Sequence, residues 1–408
     1  VTKLITILAF AGLVSLISAG LPASAATSRQ QPAAPQVTPL LVSSSNAPLR
    51  VLGSDGLQHV EYDLVYTNVF TAPVTLTAIQ VFAPDGRELL RLDGDALVAG
   101  TMPVYGGEPS AVIPVSGTVA TTVDLALAAD AVPAQITHRI SFDLPDDALW
   151  VTFIGSRTFD GPSLNVDPRV RLVIASPLRG AGWIDGNGCC AAESIHRWLR
   201  QAADGSRLNK IEMFAIDWSQ LQGGRLFTGD GSLNDQWFCF GADVLSVAPG
   251  TVVSVQDGTP DQTPGQTPEG LLQTADYAGN NVVVQIAPAT WAIYLHLQQG
   301  SIQVSVGDKV TVGQRLGALG NSGNSLAPHL HFQLSDGPDF ATSNSLPFVF
   351  DRYTLAGTVN PATVAAIAQQ AEVDSPAIGT GGSVIPAEGT PQAQTGTYPL
   401  FLSVADFP

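Results

Sequence analysis

The chain is short of charge, of sulfur and of histidine. Only 13% of its 408 residues are charged, about half the share usual in a soluble domain. The formal charge is -17, from 35 acidic against 18 basic side chains. That balance excludes a basic groove for nucleic acid and disfavours an anionic membrane surface. The three cysteines, Cys189, Cys190 and Cys239, offer no Cys-x-x-Cys spacing, so a thiolate metal cluster lacks support. Beyond the first residues no run is long and apolar enough to cross a bilayer. Internal repeats are absent too. What is abundant is turn formers, 40 Gly and 29 Pro, a composition that predicts many short strands in two to three domains.

Residues 1–26 read as a secretory signal. Lys3 precedes an apolar run at 4–17, and Ala23-Ser24-Ala25 supplies a small-residue cleavage site. The mature protein is therefore expected to be soluble and exported, either secreted or held in the cell envelope. Export permits disulfides. A bridge from Cys189 or Cys190 to Cys239 is the expected use, with a vicinal Cys189–Cys190 bridge as the strained alternative. Residues 27–47, rich in Ser, Gln, Pro and Ala, read as a linker.

From 48 to 176 strand-like runs recur at 59–66, 74–79, 120–127 and 138–142, separated by Gly, Pro, Asp and Asn. This is the pattern of a β-sandwich. His59 and His138 each open one of these runs and read as structural. The texture changes at about 177, and 177–408 forms the second predicted domain. Its strands are expected at 210–218, 243–255, 280–286 and 291–297, and at 398–407. A long Pro/Thr/Gly loop at 256–278 invites a role at a substrate rim. Residues 360–397 read as a flexible excursion with a short helix near 362–371.

The chemistry gathers at 322–334, Ser-Gly-Asn-Ser-Leu-Ala-Pro-His-Leu-His-Phe-Gln-Leu. His329 and His331 are two apart in a run of strand period, so both imidazoles share one face while Leu330, Phe332 and Leu334 share the other. Imidazole suits zinc, and a strand holds its side chains rigidly. With His296 and His196, these are all the histidines after the sandwich, and Asp217 is an acid within an apolar run. A catalytic zinc needs about three protein ligands, one open position and nearby groups for proton transfer. Five such groups around one sheet would meet those needs, although composition alone does not separate them from isolated structural histidines.

The ordered set Val304-Ser305-Val306-Gly307-Asp308-Lys309-Val310, Gly313-Gln314-Arg315-Leu316-Gly317, Gly320-Asn321-Ser322-Gly323-Asn324-Ser325 and Pro328-His329-Leu330-His331-Phe332 resembles the lysostaphin/LytM-type zinc metallopeptidases. Gly250-Thr251-Val252-Val253, Gly279-Asn280-Asn281-Val282 and Tyr294-Leu295-His296-Leu297 fit the same family in the same order. The resemblance covers roughly 182–355. It implies an antiparallel β-sheet metallopeptidase domain of this type, which with the β-sandwich read from strand spacing makes a mainly β chain, N-terminal β-sandwich first. It implies a secreted zinc endopeptidase (Zn2+ as cofactor) cutting peptide stems or cross-bridges of peptidoglycan. Carried over by position, His331 is a zinc ligand, and His296 and His329 are the catalytic pair. The family's other ligands are a His and an Asp four residues apart. Here His196 and Asp217 would fill those roles across an insertion, 197–216, with Asp235 as the alternative acid. The family also holds members that lost ligands and regulate other wall hydrolases, so a non-catalytic envelope protein that regulates or scaffolds a hydrolase is the alternative function.

Overall fold

Strand period decides the first half of the chain. In the strand Gln58–Asn68, Val60, Tyr62, Leu64 and Tyr66 turn one way into a buried apolar cluster. Val74–Phe82 and Gln135–Asp143 supply Leu76, Ile79, Val81, Ile140 and Phe142 to the same cluster from a second sheet. Burying these side chains contributes roughly 1.5–3 kcal/mol each. In the computed structural model, which describes residues 36–169, 172–203, 205–363 and 384–408, the first sheet runs Leu40–Ser44, Gln58–Asn68, Thr118–Leu127, Thr101–Pro103, with Leu49–Leu52 also on Gln58–Asn68. The second runs Thr158–Asp160, Gln135–Asp143, Val74–Phe82, Glu88–Asp93. Two antiparallel sheets packed over one core make a β-sandwich.

Two expectations meet a different outcome here, and two others fall on residues the structure does not describe. Leu40–Ser44, inside the stretch read as linker, is a strand paired with Gln58–Asn68. The expected signal at 1–26 lies outside the described residues, as does most of the helix expected near 362–371. Within the excursion read as flexible, Ala387–Glu388 and Gln392–Gln394 pair with the strand Tyr353–Val359.

The second half forms an antiparallel sheet of 12 strands among the described residues. Its middle reads Asn280–Ala287, Thr290–Leu297, Leu330–Ser335, Ile216–Gln220, Gly180–Gly186, Ser403–Phe407. Leu330, Phe332 and Leu334 enter the largest core cluster beside Tyr294, Ile216, Trp218 and Phe348. The opposite face of Leu330–Ser335 carries His331, Gln333 and Ser335. The strand expected at 210–218 begins only at Ile216. Residues 210–215 bend instead, with the Ala215 N–H donating to the Glu212 carbonyl at 2.9 Å.

The cysteine expectation is corrected. Cys189 and Cys190 are bonded to each other, and Cys239 is free and fully buried. The Cys239 thiol donates to the Pro328 carbonyl at 3.1 Å, and burial pushes it up to about 12. It is a core residue under the histidine strand, not a bridge partner. No helix of the described residues is long and apolar enough to cross a membrane.

Candidate metal centre

Strand register brings the central pair together. Asp217 on Ile216–Gln220 lies opposite His331 on Leu330–Ser335, between the core pairs Ile216–Phe332 and Trp218–Leu330. Residues opposite one another across a ladder share a face, so the carboxylate and the imidazole meet above the core. His331 Nδ1 lies 3.0 Å from Asp217 Oδ1. On its far side His331 Nε2 lies 3.0 Å from Gln333 Oε1. The Gln333 amide is oriented by its Nε2, which donates to the Ile211 carbonyl at 3.1 Å. An amide oxygen only accepts, so His331 Nε2 carries a hydrogen.

His196 arrives from a one-turn 3-10 helix, Ile195–Trp198. Its Nδ1 donates to the Ala215 carbonyl at 3.1 Å. Its Nε2 faces Asp217 Oδ2 at 3.2 Å and Glu212 Oε2 at 3.4 Å. His329 gives Nδ1–H to the Ala327 carbonyl at 2.8 Å and turns Nε2 towards Asp217 Oδ1, 3.6 Å away. Asn187 Nδ2 donates to Asp217 Oδ2 at 2.9 Å. Thus Asp217 sits among three imidazoles and an amide.

His296 reaches this face by a break in strand alternation. Ala292 and Tyr294 point into the main core, while Ile293 and Leu295 pack on the other face. Regular alternation would send His296 into the core. Its backbone instead takes a left-handed φ of 62°, and the ladder with Asn280–Ala287 shifts register at this point. One extra residue in a strand re-aims a side chain. His296 therefore turns to His329, with ring centroids 4.7 Å apart, and Leu297 returns to the core. The Gly-Asn-Ser-Gly run holds it there, since His296 Nδ1 donates to the Ser322 carbonyl at 2.8 Å. Gly323 has φ of 79°, and a Cβ on it would stand 2.4 Å from the Gly279 nitrogen, so only glycine permits this turn.

Charge follows from these contacts. Burial lowers the proton affinity of His196, but the carboxylates of Asp217 and Glu212 outweigh it and raise the imidazole to about 10. For Asp217 burial favours the acid, yet His196 and His329 outweigh it and hold the carboxyl well below the usual range. His296 goes the other way: burial, then His329 and His331, hold it well below the usual imidazole range. His196 Nε2 and His331 Nδ1 each face oxygens that only accept. A cation must stand at each of those nitrogens, either a proton or a metal ion.

All five residues expected from the sequence, His196, Asp217, His296, His329 and His331, lie on one face. Asp235, the alternative acid, is exposed on the 3-10 helix Asn234–Gln236. Glu212 was missed. With His196 and His331 it forms a set whose ligand atoms lie within 4.8 Å of one another. The only signal for it was its place just before the Asp217 strand. His59, by contrast, is held by Asp124 and Asp55, and His138 by Tyr62 Oη and the Pro162 carbonyl. The loop after Gly250–Gln256 lies beside the Gly320–Gly323 turn, where Asp261 accepts from the Asn321 N–H at 2.7 Å. Leu272 on this loop is 93% exposed.

Residues 237–341 match the model of Peptidase family M23. That span includes His296, His329 and His331 and leaves out His196, Glu212 and Asp217. The peptidoglycan DD-endopeptidase ShyA of Vibrio cholerae is 42% identical over 90 residues, 22% of this chain and 20% of its own length. The endolysin 2638A of Staphylococcus phage 2638A is 34% identical over 114 residues, 26% of this chain and 21% of its own. The chain thus spans about a fifth of the length of the curated relatives it matches. Among solved structures, the catalytic domain of the antimicrobial peptidase lysostaphin from Staphylococcus simulans is 19% identical with a TM-score of 0.21, covering 41% of this chain and 84% of that one. Over residues 237–341 the chain is thus similar to Peptidase family M23, and a peptidoglycan DD-endopeptidase is among the relatives of this stretch.

Proposed function

We propose that the chain is a zinc-dependent endopeptidase that hydrolyses peptide bonds of peptidoglycan stems or cross-bridges, working outside the cytoplasm after export. The observation that carries this reading is a shared polarity. His196, His329 and His331 each give one N–H to an oxygen of the chain and turn the other nitrogen to Asp217. Metal-binding histidines have this arrangement, since the outer hydrogen bond fixes the tautomer that frees the inner lone pair. His196 Nε2, the Asp217 carboxylate and His331 Nδ1 would hold the ion. Two imidazoles and a carboxylate suit zinc and leave a coordination position open. When bound, the ion supplies Lewis-acid polarisation of a peptide carbonyl.

The chain's own residues supply the rest. His329, with Nδ1–H given to Ala327, has Nε2 free to take a proton from the attacking water and return it to the leaving amine. His296, with Nδ1–H given to Ser322, offers Nε2 to the same transfer. Leu272 and Leu326 are exposed, the latter three residues before His329, and would suit a peptide rim. The M23 match and the DD-endopeptidase relative support the substrate class. A division of the chain into a sandwich at 48–176 and a peptidase domain at 177–408 belongs to this reading. The test is digestion of purified peptidoglycan by zinc-loaded chain, with mass analysis of the products. Peptide fragments that vanish on chelation are expected. Zinc-loaded chain that releases none would favour the non-catalytic regulator or scaffold of a hydrolase.

A further inference from the structure

The outer face of the first sandwich sheet carries charge where water is absent. Along Gln58–Asn68 the residues alternating with the core set are His59, Glu61, Asp63 and Val65. In an antiparallel sheet with one face on its core, such positions are commonly solvated. Glu61 and Asp63 are instead 0% exposed. They are covered by the insertion that separates His196 from Asp217. Arg197 Nη2 donates to Glu61 Oε2 at 2.6 Å, and Arg200 Nε donates to Asp63 Oδ2 at 2.6 Å. Lys210 Nζ lies 3.2 Å from Asp63 Oδ2 and also donates to the Arg197 carbonyl. Leu208 packs on Val65 beside Val104 and Ala120.

These contacts grip the insertion at both ends, next to the metal centre. Arg197 follows His196 within one turn of 3-10 helix, and Lys210 precedes Glu212 by two residues. As a device for stability the cluster is poor. Glu61 Oε1, Asp63 Oδ1, Arg197 Nε and Arg200 Nη2 are buried without a hydrogen-bond partner, and buried ion pairs often do no better than apolar packing. What directed ion pairs add is a fixed position and angle.

We infer that Glu61 and Asp63 are positioning residues for the metal centre: the sandwich sheet sets, through Arg197, Arg200 and Lys210, where His196 stands. This inference rests on the metal reading of His196, Asp217 and His331. It gives the sandwich a part in the site, because a peptidase half without it would present His196 on a turn that has lost its Arg197 and Arg200 anchors.

The test uses the full chain. Zinc affinity is measured by competition with a chromophoric chelator, and the cobalt-loaded protein is read by its visible d–d spectrum. Glu61→Gln and Arg197→Met are expected to weaken zinc about 10–100-fold, the range for groups that orient ligands, and to alter the cobalt spectrum. Arg197→Lys, which keeps a cation for Glu61, should recover most of the affinity. Because a broken buried pair can prevent folding, the double variant Glu61→Met with Arg197→Met replaces the pair by an apolar contact. It is expected to fold and still to bind zinc weakly. Folded variants with wild-type zinc affinity and an unchanged cobalt spectrum would overturn the inference and leave the cluster purely structural. A wild-type chain that takes up no zinc would sink the metal reading itself, and this inference with it.

Discussion

Gln333→Met tests the hydrogen-bond logic of the site without touching a proposed ligand. Gln333 is 0% exposed, accepts from His331 Nε2–H and donates to the Ile211 carbonyl. Methionine fills a similar volume and can do neither. Two buried polar groups are orphaned, the His331 N–H and the Ile211 carbonyl. At about 1–3 kcal/mol each, the loss of stability should be about 2–6 kcal/mol. The zinc effect is separate. Losing the outer partner of a ligating histidine typically costs 10–100-fold in metal affinity, or about 1.4–2.8 kcal/mol. Urea unfolding gives the first number and chelator competition at a temperature where the variant is folded gives the second. A folded Gln333→Met chain that holds zinc within about twofold of wild type would refute the reasoning.

Three further outcomes are expected. His331→Ala should abolish zinc binding, whereas His329→Ala should keep most of the zinc and lose peptidoglycan cleavage; equal metal loss in both, by metal analysis, would erase the distinction between ligand and proton carrier. Asp217→Asn should weaken zinc while circular dichroism stays native, because Asn keeps the size and loses the charge, and Asp235→Asn on the exposed 3-10 helix should leave zinc unchanged. The last concerns pH and the sandwich. Burial lowers the proton affinity of His59, but Asp124 and then Asp55 outweigh it and raise the imidazole above its usual 6.5. A folded-state pKa above the unfolded one gives stability that is full below about 6.5 and fades as pH rises through the folded value. The stability gap between wild type and His59→Gln should therefore shrink from about pH 6 to pH 8.5. A gap that stays constant across that window would contradict the pairing of His59 with Asp124.

Much of this centre was legible because its elements announce themselves by period. Two histidines two apart among Leu330, Phe332 and Leu334 fix a face, and the alternation around Val60, Tyr62 and Leu64 fixes the sandwich core. What escaped depends on tertiary register. His296 joins the site only through a left-handed residue that breaks alternation, and nothing in Tyr294-Leu295-His296-Leu297 states that break. Glu212 joins because 210–215 bends where apolar residues had read as strand. The bend is held by Phe214 N–H donating to Ser345 Oγ and by the Lys210 carbonyl accepting from Ser345 N–H, contacts more than a hundred residues away. The cysteines misled for a similar reason. Cys239 stands just before a strand of the same domain, which spoke for it as a partner, but its side chain is spent on the Pro328 carbonyl beneath the histidine strand. Glu61 and Asp63 alternate with the core set of their strand, and the insertion seated on them makes them buried.

His196, Asp217 and His331 are proposed to converge on one zinc ion. Crystals of the zinc-loaded full chain, with anomalous data collected on both sides of the zinc edge, address it directly. A single strong peak bonded to His196 Nε2, the Asp217 carboxylate and His331 Nδ1 is expected, with His329 and His296 beside it and unbonded. A peak elsewhere, or zinc held by His329 and His296 with His196 turned away, would contradict it.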